Sequence, residues 1–246
     1  MKNLAGKVAL VSGASRGIGR GIAERLAQNG ATVVVNYSGS EQEAKQVVET
    51  ITSNGGKAID LQANFSQIED IRRLFQDVND RYGQLDILVN NAGTGIVGAI
   101  ADVTEADYDK VFNLNVRGVL FALQEAARRM NDGGRIVNIS STTTIHPEAG
   151  MAVYAASKAA IKLFTAVMAN EVGDRGITVN TVMPGPTIPG MFGNMPPEVQ
   201  QQAAASSPFN RVGTPQDIAD VVAFLVSEEA RWLTGQDLCA NGGAKS

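Results

Sequence analysis

Short, nearly uninterrupted apolar runs separated by longer amphipathic segments set the tightest limit on how this chain can fold. Runs at residues 8–12, 32–36, 58–62, 87–90, 135–140 and 178–183 are rich in Val and Ile and show little polar alternation. A strand with one wet face alternates, whereas a strand buried on both faces does not; the second pattern belongs to a parallel sheet covered by helices on both sides. The intervening segments carry helix punctuation. Residues 18–29 stop at Gly30, 41–52 near Gly55 and Gly56, 67–81 at Gly83, and 152–172 at Gly173. Thr104 opens a helix with Glu105 and Asp107 in its first turn, where the helix dipole favours carboxylates. Thr214 and Pro215 open another as N-cap and first residue. With a last strand at 236–240, the pattern predicts the α/β class: one doubly wound domain over residues 1–246, its mainly parallel sheet of about seven strands flanked by helices.

Residues 184–209 hold Gly, Pro, Met and Gln but no strand. They form a substrate-side excursion, read either as a mobile lid or as an ordinary surface connection. Cys239 is the single cysteine and His146 the single histidine, which excludes an internal disulfide and leaves no ligand cluster for a metal. Cys239, on the last strand, reads as a small buried hydrophobe. A net charge of -4 with no basic stripe argues against nucleic acid as a partner. No run approaches the roughly 18 apolar residues of a membrane span, and Lys7 interrupts the first apolar run. A cytoplasmic location and no membrane partner are therefore expected.

After the first strand comes Gly13-Ala14-Ser15-Arg16-Gly17-Ile18-Gly19, a glycine-rich turn that opens a helix. Gly13 suits a tight turn and Gly19 a close helix–sheet approach, while the helix N-terminus offers N–H groups to a pyrophosphate. A glycine cluster alone is weak evidence; its place between strand and helix strengthens it. An NAD site wants a carboxylate at the end of the second strand for the ribose hydroxyls. Here that end reads Asn36-Tyr37-Ser38, with no acid before Glu41. Asn36, Ser38 and Arg16 can all donate to a 2′-phosphate, so NADP(H) is the expected cofactor.

Tyr154 and Lys158 lie four apart on a predicted helix and share a face. That pair alone is uninformative, because four tyrosines make it common by chance. Its companions carry the weight: Ser141 just past a strand, Asn90-Asn91-Ala92-Gly93 closing the fourth strand, and Asn115 as a polar interruption inside a helical segment. With Pro184-Gly185 and the closing Asn241-Gly242-Gly243, the order resembles the short-chain dehydrogenase/reductase family, nearest its 3-oxoacyl-(acyl carrier protein) reductase branch, over essentially the whole chain. The resemblance implies a Rossmann domain and assigns roles. Tyr154 is the acid/base, Ser141 polarises the carbonyl oxygen, Lys158 binds the nicotinamide ribose, and Asn115 kinks its helix and anchors a water leading to Lys158. It places Asn64 and Phe65 beside the adenine, and Asn91, Ala92 and Gly93 beside the ribose and nicotinamide. Pro184, Gly185 and Thr187 meet the nicotinamide. Ser12 stands where the family usually has Thr, and Pro189 where a Thr or Ser often follows the Pro-Gly turn.

The leading functional expectation is hydride transfer from NADPH to a ketone, with a 3-oxoacyl thioester as one candidate substrate, giving the secondary alcohol. A sugar, polyol or steroid alcohol dehydrogenase keeps the fold and changes the substrate. A non-catalytic nicotinamide-binding regulator is the reading from another class, disfavoured by the complete set Asn115, Ser141, Tyr154 and Lys158. The resemblance also implies a homotetramer through the helices at 104–130 and 152–172, with the last strand at a second interface. Arg128 and Arg129 read as an exposed helix face, or as a contact for an acidic carrier.

Overall fold

The computed structural model describes residues 4–244. Seven strands, β1 (Val8–Val11), β2 (Thr32–Tyr37), β3 (Lys57–Gln62), β4 (Ile87–Asn90), β5 (Arg135–Ile139), β6 (Thr178–Pro184) and β7 (Asp237–Ala240), form one sheet in the order β3-β2-β1-β4-β5-β6-β7. Every neighbouring pair is parallel. The order reverses direction between β1 and β4, the switch point at which such sheets bind ligands beyond their carboxyl ends.

The unbroken apolar runs divide their side chains between two cores. Ala9, Val11, Val33, Val35, Ile87 and Val89 face a layer built by α1 (Gly17–Gln28), α2 (Glu41–Ser53) and α8 (Pro215–Leu225). Val8, Leu10, Val34 and Leu88 face the opposite layer of α3 (Ile68–Tyr82), α5 (Val119–Arg129) and α6 (Ala152–Glu171). Both predicted N-caps close as full capping boxes: Thr104 with Asp107 at the head of α4 (Glu105–Phe112), and Thr214 with Asp217 at the head of α8. Each such cap contributes about 1 kcal/mol.

Three expectations change. The segment at 184–209 is not bare loop: it carries a short 3-10 turn at Met191–Asn194 and a helix, α7 (Pro197–Ser206), which starts on a proline whose missing N–H costs nothing there. Cys239 is exposed, because β7 is an edge strand held only by β6 and its alternate side chains are left uncovered. Finally, α6 is long and apolar enough to cross a membrane by length and composition. It instead lays a buried stripe of Tyr154, Ser157, Lys158, Ile161 and Thr165 inward, and leaves Leu163 and Val167 exposed on its outer side.

Candidate active site

The phosphate end is built by crowding. Gly13 and Gly17 adopt positive φ (62° and 56°), which only glycine tolerates cheaply. A Cβ on Gly19 would lie 2.4 Å from the Gly13 carbonyl oxygen and 2.5 Å from Asn91 Nδ2. The turn is thus pressed against the end of β4. Ser12 completes the seam: its hydroxyl oxygen accepts from the backbone N–H groups of Asn91 and Ala92, both at 3.0 Å, while Asn91 Nδ2 donates to the carbonyls of Ser12 and Gly13. A Gly19→Ala variant is expected to lose about 1–3 kcal/mol of stability and to bind NADPH more weakly, as read by thermal melting and by cofactor fluorescence.

The head of α1 has neither a side-chain cap nor an acidic first turn, so its N–H groups are open to an anion. Ser15 is buried at this turn and Ile18 half-buried on the first turn of the helix. Arg16 is exposed, and among the described residues its guanidinium makes no ion pair. A glycine cradle that any Cβ would fill, open helix N–H groups and a free guanidinium together fit the pyrophosphate and 2′-phosphate of NADP(H). Pro189 O and Gly190 Cα would lie 3.4 and 3.5 Å from a Cβ on Gly17, so the 184–209 segment begins across this turn.

Other cofactor candidates prove to be scaffold. Asn36 is fully buried: its Oδ1 accepts from Gly13 N, and its Nδ2 is shared among the carbonyls of Tyr37, Leu61 and Ala63. Its expected role as a phosphate donor is therefore corrected to bracing the glycine turn. Tyr37 packs into the core beside α2, leaving Ser38 as the exposed hydroxyl at the end of β2. The Phe65 side chain is buried in the opposite core, so only its backbone is left to face an adenine. Its carbonyl oxygen would lie 2.3 Å from a Cβ on Gly118, which explains glycine there. Asn64 folds its own turn, with Oδ1 accepting from Ser66 N and Ser66 Oγ.

The four expected catalytic residues converge at the carboxyl ends of β4 and β5. Ser141 follows β5, and Tyr154 and Lys158 lie on the first turns of α6. Asn115 sits in a π-helical turn (Asn113–Gly118) between α4 and α5, the irregularity that its polar side chain foreshadowed. That side chain is spent on scaffold: Oδ1 accepts from Thr94 N at 2.9 Å, and Nδ2 donates to Thr94 O and Ser157 Oγ. Gly93 runs between this amide and the Lys158 ammonium; a Cβ there would lie 3.2 Å from Lys158 Nζ and 3.3 Å from Asn115 Oδ1.

Lys158 is fully enclosed. Its Nζ donates to the Ile139 carbonyl at 2.9 Å and lies 5.9 Å from the centre of the Tyr154 ring. Desolvation pushes its pKa down to about 8. Burial raises the Tyr154 phenol above its ordinary value, and a hydrogen bond with Ser141 opposes that rise. Ser140, the residue before Ser141, donates its hydroxyl to the Lys158 carbonyl and so anchors α6 to the end of β5.

Glycines and apolar side chains occupy the loops near this centre. Gly95 lies against the Tyr154 ring, and Gly98 N donates to Gly150 O at 3.0 Å, joining the two loops that flank the cleft. Val97, Ile145 and Met191 are exposed on the loops around it, whereas Met183 belongs to the buried set. Thr187 is buried and donates to Gly185 O; Pro184 O accepts from Thr142. Gly185 fits against Asn241, where a Cβ would meet Asn241 Cβ at 2.8 Å. Arg128 and Arg129 both pair with the buried Glu125 on their own helix. Ser12, Thr94, Thr143 and Ser157, all in direct contact with site residues, went unpredicted as site members, because one hydroxyl or loop residue looks like another until its partner is known.

Residues 13–245 match the family model described as enoyl-(acyl carrier protein) reductase. An uncharacterised oxidoreductase of Methylorubrum extorquens is 45% identical over 100% of both chains. The hydroxynaphthalene reductase-like protein Arp2 of Metarhizium brunneum is 42% identical over 99% of this chain and 96% of its own. The crystal structure of the angucycline C-6 ketoreductase LanV with bound NADP superposes with a TM-score of 0.93 at 42% identity, covering 98% of this chain and 96% of that one. Sequence, fold and site geometry agree, and the chain belongs to the short-chain dehydrogenase/reductase family.

Proposed function

We propose that this protein is an NADPH-dependent ketoreductase acting on an apolar, ring-bearing ketone. The observation that carries the reading is the convergence of Ser141, Tyr154 and Lys158 at the carboxyl end of the sheet, with Gly95 against the Tyr154 ring and exposed Val97, Ile145 and Met191 on nearby loop segments. Relatives that reduce an angucycline ketone or are named for hydroxynaphthalene reduction support the substrate class. NADPH supplies the hydride when bound along the Gly13–Gly19 turn. Tyr154 gives its phenolic proton to the carbonyl oxygen, and its burial keeps that proton in place at neutral pH, as a reductive proton donor requires. The Ser141 hydroxyl donates to the same oxygen as negative charge builds on it. The Lys158 ammonium, about one helical turn further along α6, stabilises the phenolate left behind.

A 3-oxoacyl thioester remains the competing substrate, on the strength of the family model. Glu125 offsets one of the two charges of Arg128 and Arg129, which weakens the basic surface that would favour an acidic carrier at that helix. Exposed Tyr108, Leu120, Leu163 and Val167 on α4, α5 and α6 support homotetramer formation. A substrate panel tests the reading. NADPH oxidation is expected to be at least about tenfold more efficient with fused-ring ketones such as 2-tetralone than with acetoacetyl-CoA, the ratio that one or two buried methylenes' worth of apolar contact provides. A thioester preference would replace the ring-ketone assignment, and no turnover of any ketone would return the regulator reading.

A further inference from the structure

Ser141 has one hydroxyl proton and two acceptor positions. Thr143 approaches that oxygen twice: its backbone N–H donates to Ser141 Oγ at 3.2 Å, and its side-chain oxygen lies 3.0 Å away. The backbone bond is the ordinary N-cap of the short 3-10 turn at Thr142–Thr144. The side-chain bond is additional to it. The neighbouring threonines do not share in it. Thr142 Oγ1 donates to Pro184 O, and Thr144 Oγ1 donates to the Ser141 carbonyl, beside Met183 Sδ.

We propose that Thr143 is a positioning residue that fills both acceptor positions of Ser141, leaving the serine hydroxyl able only to donate, toward the substrate oxygen beside Tyr154. The consequence concerns two hydroxyls in contact. The Ser141 hydroxyl stands close enough to the Tyr154 phenol to favour its ionised form. If Ser141 Oγ had a free acceptor position, the phenol could donate to it, tying up the proton that reduction needs and stabilising the neutral phenol. With Thr143 donating to both positions, that idle pairing has no place to form. The Tyr154 proton and the Ser141 proton then converge on one substrate oxygen. The turn supplies the geometry: Ser141 is extended (φ -162°) at its head, so the residue two positions on folds back over Oγ.

This inference rests on the proposed roles of Ser141 and Tyr154, and its test separates the two. Thr143→Val keeps the backbone N–H and the side-chain shape and removes only the hydroxyl. It is expected to lower kcat for ketone reduction about tenfold, the size of one ordinary hydrogen bond, with KM nearly unchanged. In the reverse direction, oxidation of the product alcohol with NADP requires the phenolate, so the pH at which its kcat/KM reaches half-maximum should rise by about one. Thr143→Ser restores the hydroxyl and should return both values to those of the parent. A merely structural role would lower thermal stability without moving the pH profile. If Thr143→Val keeps the parent's kcat and pH profile, or if Thr143→Ser is as impaired as Thr143→Val, the assignment of Thr143 is overturned. Retained activity in Tyr154→Phe would instead remove the reading beneath it.

Discussion

Tyr154→Phe is expected to lower kcat for ketone reduction by roughly 10²–10⁴-fold, the usual contribution of a positioned acid, with NADPH binding unchanged. The phenyl ring can keep its place against Gly95 and near the Lys158 ammonium, since both contacts involve the ring and not the hydroxyl. Only the proton donor is lost. Thermal stability should hold, because the phenol oxygen's partner, Ser141, keeps its two bonds from Thr143. Stopped-flow measurement of a single turnover with pre-bound NADPH isolates the chemical step. A variant that turned over at the parent rate would show that another group gives the proton.

Lys158→Met should cost activity on a similar scale while leaving the fold at least nearly as stable. The ammonium is fully enclosed, and desolvation has moved its pKa from 10.5 to about 8. That displacement means a burden on the order of 3 kcal/mol for holding the charge inside at neutral pH. Methionine fills similar space with no charge, but leaves the Ile139 carbonyl without its donor, at about 1–3 kcal/mol. The two nearly offset, so the melting temperature at pH 7 should stay level or rise. The pH dependence has a definite sign. The unfolded lysine binds a proton up to about pH 10 and the folded one only up to about pH 8, so the unfolded state holds more protons in that window. Through this group the parent therefore gains stability between pH 8 and 10, and the variant does not. Reductive activity should fall in the same window as the ammonium beside Tyr154 is lost. Calorimetry from pH 7 to pH 10 checks the first statement; a parent-like slope in the variant would refute it.

Much of the fold was readable because its signals are local. Short Val- and Ile-rich runs without polar alternation read as doubly covered strands, and the structure shares their side chains between two cores. Thr104 and Thr214 were readable as caps because a cap is decided within four residues. Gly13, Gly17 and Gly19 were readable because their spacing states where backbone must come close. Asn115 announced a break in its helix, but not that its amide would be spent on Thr94 and Ser157, which lie 21 and 42 positions away. The residues misjudged were those whose partners come from elsewhere in the chain. Asn36 looked like a ligand donor and is instead turned inward by the carbonyls of Leu61 on the adjoining β3 and Ala63 just beyond it.

By itself the sequence determined the helix–sheet–helix layering and the glycine turn, since periodicity and backbone freedom are properties of a residue and its near neighbours; the candidate reacting side chains came from the resemblance of its motifs. Tertiary structure alone decided what each polar group faces. Thr142, Thr143 and Thr144 are identical in sequence, yet one hydroxyl reaches Pro184 O, one Ser141 Oγ and one the Ser141 carbonyl. Cys239 had the composition of a core position, but its strand lies at an edge. The physical reason is the same in each case: a hydrogen bond or a burial is a relation between two surfaces, and the second surface is brought up by the fold.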